Sequence, residues 1–393
     1  MTAAPTGFDY LPRTRVVYGQ GALARVGELT REQGVSRVML VTDPGVVKAG
    51  HAERALRSLE TAGLHVTRFE RVKENPTTRE VDECLAAAKD ARIDGLVGLG
   101  GGSAMDTAKG CNFLFTNGGR MQDYWGVGKA TREMLPLVCI PTTAGTGSEC
   151  QSFALIADAE SHQKMACGDP KASARVAILD PELTLSQPRH VAANTGIDAL
   201  THAVESAVTN RRNELSWLFA REAFVRGRSA LPAVLSHPED VTARGRMQWA
   251  AALAGMAIEN SMLGAAHSAA NPLTAHYGIV HGQAVGAMLP HVVRFNARDE
   301  ASRAIYAELA VTAEVVETGR DPATAVAALI RCLEELLDRC AVPRALEAYG
   351  VERAKLPTLA REAAGQWTAQ FNPRPIAAPD FLKLYEAAYS GQA

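Results

Sequence analysis

The chain has 393 residues, 47% hydrophobic and 21% charged. That is the balance of an ordinary globular protein, at a length that one core seldom serves, so two domains are expected. Its 41 basic and 43 acidic side chains are interleaved and leave a formal net charge of -2, which excludes a basic stripe for nucleic acid and a polybasic membrane anchor; a small molecule is the expected partner.

The first stretch, MTAAPTGFDYLPRTRVVYG, lacks the basic-then-apolar pattern of a signal peptide. No run of about eighteen apolar residues occurs anywhere, so a cytoplasmic protein is expected. The seven cysteines contain no C-x-x-C pair, and they read as reduced or buried thiols, not as a disulfide framework or zinc ribbon. From Arg15 to Leu29 a short strand, a Gly-x-Gly turn and a helix are expected. VMLVTD, Val38 to Asp43, is a β-branched run ending in an acid, as in a parallel strand buried on both faces. A turn at Pro44-Gly45 leads to a helix from Ala52 to Ala62. HVTRFE at His65 to Glu70, a helix from Thr78 to Ala91 and GLVGLG at Gly95 to Gly100 follow. Strand and helix alternate, which predicts βαβ units and a parallel, Rossmann-like sheet covered on both faces.

GLVGLG runs straight into glycines. Gly100, Gly101 and Gly102 allow close backbone approach to a ligand, and Ser103 can cap a following helix whose exposed amides attract phosphate. The spacing is not G-x-G-x-x-G, so a plain strand-to-helix turn is an equal reading. Asp106 and Lys109 lie on the first turns of that helix. LPLVCIPTT, Leu135 to Thr143, is the next strand, and it ends in PTTAGTGSEC, where Thr142, Thr143, Thr146 and Ser148 supply hydroxyls beside a strand's carboxyl end. Lys164 follows in HQKMAC, and ARVAILDPEL, Ala174 to Leu183, is the last strand of the region.

Beyond Pro188 the pattern is helical to the end, broken by SHPED and TGRDP. The division is therefore residues 1–186, an α/β dinucleotide-binding domain, and 187–393, an all-α metal-binding domain, with substrate expected in the cleft between them. GIDALTHAVES opens the second half and sets Asp198 and His202 four apart, on one face of a helix. His267 and His281 lie in GAAHSAANPLTAHYGIVHGQ, which predicts a helix, a break and a second helix entry. One Asp and three His suit Zn2+ or Fe2+; the Asp-x-x-x-His spacing alone is equally that of a local hydrogen bond on a helix face.

GGGSAMDTAKG, PTTAGTGSE, DALTHAVE, the spacing from His267 to His281, and LPHVVRFN together resemble the iron-containing (group III) alcohol dehydrogenases, from VVYGQGA to NPRP. The resemblance implies hydride transfer between NAD(H) and a small alcohol, aldehyde or ketone, with one divalent metal, Fe2+ or Zn2+, as Lewis acid toward the substrate oxygen. It implies metal ligands at Asp198, His202, His267 and His281. Cofactor-facing positions are implied at Asp43, Gly100 to Ser103, Asp106, Thr142, Thr143, Thr146 and Lys164, and assembly as a homodimer or higher oligomer. An acid at the end of the second strand, Asp43, favours NAD over NADP because it accepts from ribose hydroxyls and repels an added phosphate; capping a helix before Pro44 is its other reading.

One position departs from the pattern. Many members carry a further His four residues after the third ligand, and here Asn271 stands there, which cannot shuttle a proton at neutral pH. His276 or water is then the candidate relay, unless His276 only packs near the ligands. Met262 stands where many members have Gly, which would narrow a substrate pocket. The alternatives are a metal- and NAD-dependent lyase of the dehydroquinate synthase type, which needs clustered basic residues for a polyanion, and a non-catalytic NAD-binding protein, against which intact ligands weigh.

Overall fold

The computed structural model describes residues 7–161 and 163–390; the stretch before Gly7, part of the expected leaderless N-terminus, lies outside them. The chain divides into two compact units, one running Tyr10–Gln187 and the other from Pro188 onward with the described residues before Tyr10. No helix among the described residues is long and apolar enough to cross a membrane.

The first unit is built on strands β1 (Arg15–Tyr18), β2 (Arg37–Val41), β3 (His65–Phe69), β4 (Gly95–Gly100), β5 (Gly126–Val127), β6 (Leu137–Pro141), β7 (Phe153–Ala157), β8 (Lys164–Gly168) and β9 (Val176–Leu179). Its helices are α1 (Val26–Glu32), α2 (Pro44–Lys48), α3 (His51–Thr61), α4 (Thr78–Ala91) and α5 (Gly102–Asn117). Six strands form one parallel sheet in the order β1-β9-β6-β4-β2-β3. Side chains alternate across the pleat, so Val38 and Leu40 of β2 enter a core with Leu29 of α1 and Leu59 of α3. Met39 and Val41 enter the opposite core, with Cys84 of α4 and Met105 and Ala108 of α5. Both faces being buried, the strand is apolar from Val38 to Val41, and each buried Val, Leu or Met contributes on the order of 1.5–3 kcal/mol.

A second, three-stranded sheet, β5-β8-β7, was not expected from the sequence; β7 and β8 pair antiparallel, Phe153 opposite Gly168 and Ala157 opposite Lys164. FALIA and KMACG are short, and only their pairing partner makes them strands.

The second unit is helical: α6 (Arg189–Ser206), α7 (Glu214–Ser236), α8 (Val241–Ser261), α9 (Ala265–Tyr277), α10 (His281–Asn296), α11 (Glu300–Thr312), α12 (Pro322–Arg339), α13 (Leu356–Ala364) and α14 (Ala378–Tyr389). No strand occurs in it among the described residues. Helix α6 packs against α7, α8 and α10 and is buried nearly all round from Ala192 to Ser206, so the polar groups it carries are costly unless something uses them. The break between α9 and α10 falls at Gly278, whose φ is 64°; Pro272 sits inside α9.

All seven cysteines are free thiols, buried except for the half-buried Cys332, as expected.

Candidate metal and nucleotide sites

Asp198 and His202 come from one turn of α6, His267 from the first turn of α9 and His281 from the first residue of α10. The Asp198 Oδ1 atom is approached by three imidazole nitrogens, His202 Nε2 at 3.4 Å, His267 Nε2 at 3.6 Å and His281 Nε2 at 3.7 Å. The donors of Asp198, His267 and His281 all lie within 4.8 Å of one another; His202 falls outside that trio but stacks on His267, ring centres 4.8 Å apart and planes 17° apart.

These separations are too long for hydrogen bonds. They match ligands sharing an ion, since donors about 2.1 Å from a tetrahedral centre stand about 3.4 Å apart. Asp198 Oδ1 and His267 Nε2 are buried and have no hydrogen-bond partner. Burying two such groups unpaired costs roughly 1–3 kcal/mol each, a cost that a shared cation removes.

The electrostatics agree with that donor set. Burial pushes the Asp198 carboxyl up, but His202, His267 and His281 outweigh it and hold the group well below the usual carboxylate range. Burial disfavours charge on His267, yet Glu205 and Asp198 raise its pKa to about 9. Glu205, two turns beyond Asp198 on α6, is a residue that the sequence reading quoted without assigning a role. Its Oε2 lies 2.5 Å from His267 Nδ1 and its Oε1 accepts from the Ala266 amide at 2.6 Å.

Asn271, where the chain departs from the family pattern, and His276, the candidate relay, part company. Asn271, one turn after His267, is half-buried and donates to Gln366 Oε1 at 2.9 Å. His276 is not brought to the cluster. It lies two and a half turns beyond His267, about 13 Å along the helix axis, and is exposed with Nε2 at 2.7 Å from Glu362 Oε2. Met262 ends α8 at φ 74°, ψ -171°, a region that glycine occupies readily and other residues only under strain.

In the first unit the glycine stretch closes β4 and opens α5. Gly100 has φ 152°, and a Cβ there would meet Ala104 Cβ at 2.8 Å and Asp43 Oδ2 at 3.0 Å. A Cβ on Gly102 would meet Thr146 Cγ2 at 2.8 Å, so the two loops fit together only because this position is bare. Gly101 provides no side-chain cap to α5, and Ser103, expected to cap it, lies inside the helix, where its Oγ accepts from the Asn75 amide at 3.3 Å. Leading amides without a side-chain cap, beside a cradle that a Cβ would fill, fit a pyrophosphate. Asn75, at φ 51°, was not anticipated as part of this loop cluster.

Thr142 continues from β6, its amide donating to Gly100 O at 2.9 Å. Thr143 lies against Gly101, and Lys164 opens β8 with its charge felt at Asp106. Asp43 satisfies its capping reading: Oδ1 accepts from the Gly45 and Val46 amides at 2.8 and 3.0 Å, while Oδ2 lies near Gly100. Asp106 is turned inward, buried with Oδ1 accepting from Ser148 Oγ at 2.7 Å and Oδ2 from the Leu155 amide at 3.3 Å, because its place on α5 faces β7 and the loop after Thr146. Beside it the fully buried Lys109 Nζ donates to Ser148 O, Ser148 Oγ, Gln151 O and Phe153 O at 2.6 to 3.0 Å. Neighbouring Glu149 is buried with Oε2 unpartnered, and burial raises its pKa to about 7 against the pull of its own backbone amide and of Lys109.

Comparison with known proteins covers both units. The family described as iron-containing alcohol dehydrogenase matches residues 12–181, and its C-terminal counterpart matches residues 192–389. The chain is 35% identical over 371 residues to alcohol dehydrogenase 4 of Schizosaccharomyces pombe, covering 94% of this chain and 86% of that protein. It is 33% identical over 379 residues to the NAD-dependent methanol dehydrogenase of Bacillus methanolicus, covering 96% and 99%. Among solved structures a 1,3-propanediol oxidoreductase superposes with a TM-score of 0.94 at 31% identity, covering 98% of this chain and all of that one.

Proposed function

Because the chain belongs to the iron-containing alcohol dehydrogenases, and so is an oxidoreductase acting on a small alcohol or aldehyde with NAD(H) and a divalent metal, we propose that Asp198, His202, His267 and His281 hold the metal, that it is Fe2+, and that NAD is preferred to NADP. The observation that carries this is the buried Asp198 Oδ1 facing three imidazole nitrogens without a hydrogen bond to any of them. Lyase chemistry of the dehydroquinate synthase type is not favoured, since both halves match alcohol dehydrogenases.

When bound, the metal supplies Lewis acidity toward the substrate oxygen and the nicotinamide exchanges the hydride. The chain's own part is to hold and orient. Asp198 brings a negative charge that would offset half of a dication's, and Glu205 holds the Nδ1 side of His267, leaving Nε2 to face the cluster. The α5 N-terminus and the bare Gly100 to Gly102 backbone receive the diphosphate, and Thr142, Thr143 and Thr146 line the neighbouring loop. NAD preference rests on Asp43, whose Oδ2 is not used by the cap and would repel a ribose phosphate; the relative from Bacillus methanolicus is named for NAD. Asn271 is a hydrogen-bonding group here, not a relay, and His276 Nε2 is engaged by Glu362. A cytoplasmic homodimer or higher oligomer completes the proposal. The outer edge of β1 has no partner strand among the described residues, and Tyr18 at its end is exposed, a surface of the kind that a second copy covers.

The test follows reduced-nicotinamide absorbance with short alcohols, diols and aldehydes. Metal-stripped protein should be inactive, Fe2+ should restore turnover better than Zn2+, and NAD should exceed NADP by roughly ten- to hundredfold, the weight of one unfavourable phosphate contact of about one to three kcal/mol. Turnover that survives chelation contradicts the metal assignment, and equal use of NADP contradicts the role given to Asp43.

A further inference from the structure

Helix α9 has no cap of its own, since Gly264 has no side chain to offer its first amides. Two side chains from elsewhere take that place. Asn372 Oδ1 accepts from the Ala265 amide at 3.4 Å, and Glu205 Oε1, from α6, accepts from the Ala266 amide at 2.6 Å. The other oxygen of the same carboxylate reaches the next residue's ring, His267 Nδ1, at 2.5 Å. Glu205 is only 3% exposed, so its charge is held by these two donors and by the positive end of the α9 dipole. Space around it is closed: a Cβ on Gly264 would stand 3.1 Å from both Glu205 Oε1 and Asn372 Oδ1.

An imidazole can give a metal the lone pair of Nε2 only when Nε2 carries no proton, which requires the proton on Nδ1. A carboxylate facing Nδ1 enforces that tautomer and fixes the ring plane. We propose that Glu205 is a positioning residue for the metal site: one carboxylate locks His267 as the Nδ1–H tautomer and pins the start of the helix that carries it, and so sets the affinity of the site. The inference rests on the reading of His267 as a ligand. It adds a requirement that the ligand set does not contain, namely that both oxygens at position 205 be acceptors. Glutamine cannot meet it. Its one amide oxygen serves either the ring or the Ala266 N–H, and its NH2 then opposes the other donor.

The experiment measures Co2+ binding to metal-stripped protein by competition with a chromogenic chelator, together with the visible d–d spectrum, for wild type, Glu205→Gln and His267→Ala. The melting temperature of each metal-stripped protein is recorded as a check on folding. Glu205→Gln should bind Co2+ 10- to 100-fold more weakly with altered visible bands, and His267→Ala more weakly still. Wild-type affinity and spectrum in Glu205→Gln, with His267→Ala impaired, overturns the role of Glu205 alone; wild-type affinity in His267→Ala overturns the ligand assignment beneath it. A merely structural role would lower the melting temperature of Glu205→Gln and leave the Co2+ affinity of the folded protein unmoved. Independently of any variant, 15N-histidine NMR of Zn2+-loaded wild type should show His267 protonated at Nδ1, and protonation at Nε2 overturns the proposal.

Discussion

Each unit buries a cluster of charged side chains, and the two clusters are finished in opposite ways. Under the loops that follow β4 and β6, Lys109 Nζ lies within hydrogen-bonding distance of four acceptors and Asp106 has both oxygens engaged, so these two charges are satisfied within the protein and one oxygen of neighbouring Glu149 is left over. In the helical unit, Asp198 Oδ1 and His267 Nε2 are equally buried and left without hydrogen-bond partners. A satisfied buried network fixes a scaffold; an unsatisfied one at ligand spacing is prepared for something the chain does not contain. Burial and charge alone do not separate the two, because Asp106 and Asp198 are both buried carboxylates in motifs that the sequence singles out. What separates them is where their lone pairs go.

The comparison is broken most sharply at Lys109. Lys109→Met removes a cation that four acceptors surround and leaves Asp106 without the stronger of the two positive charges that act on it. The expected loss is about 3 to 5 kcal/mol of stability, as for other buried pairs deprived of one partner. Thermal unfolding of the variant checks this, and a loss under about 1 kcal/mol would mean that the network is not part of the scaffold.

A smaller effect is expected at Glu149, the one member of the first cluster with an unpartnered oxygen. Its pKa is raised from 4.5 to about 7 by burial. The neutral acid is therefore favoured in the folded state, and its contribution to stability is fully present below pH 4.5 and is lost as the pH rises through 7. Linkage puts that contribution at about 3 kcal/mol at most. Glu149→Gln should flatten the decline in melting temperature between pH 4.5 and 7 and be the more stable protein at pH 8. A decline of the same size in both proteins would assign the pH dependence to other groups.

Much of this was legible in the sequence, for stated reasons. VMLVTD and GLVGLG read as strands buried on both faces because nothing polar interrupts them. Asp198 and His202 share a face because four residues make about one turn. Glu205 was readable by the same rule, lying two turns from Asp198, but its value depends on the arrival of α9, which no local pattern encodes. The β7–β8 hairpin was missed because short segments such as FALIA and KMACG become strands only by pairing. His276 is close to His267 and His281 in sequence, yet it lies far along α9 from His267. Asp106 sits in a motif beside the glycines, yet its direction is set by Ser148 and Leu155, more than forty residues later. The α9–α10 break was expected, but Gly278 makes it while Pro272 is absorbed within α9.

The central claim is that the incomplete cluster is a metal site, and anomalous diffraction from crystals of protein reloaded with Fe2+, collected on both sides of the iron edge, tests it most directly. The account predicts one strong peak about 2.0 to 2.2 Å from Asp198 Oδ1 and from the Nε2 atoms of His202, His267 and His281. A peak at any other place, or iron-replete protein with no peak among these four residues, would contradict it.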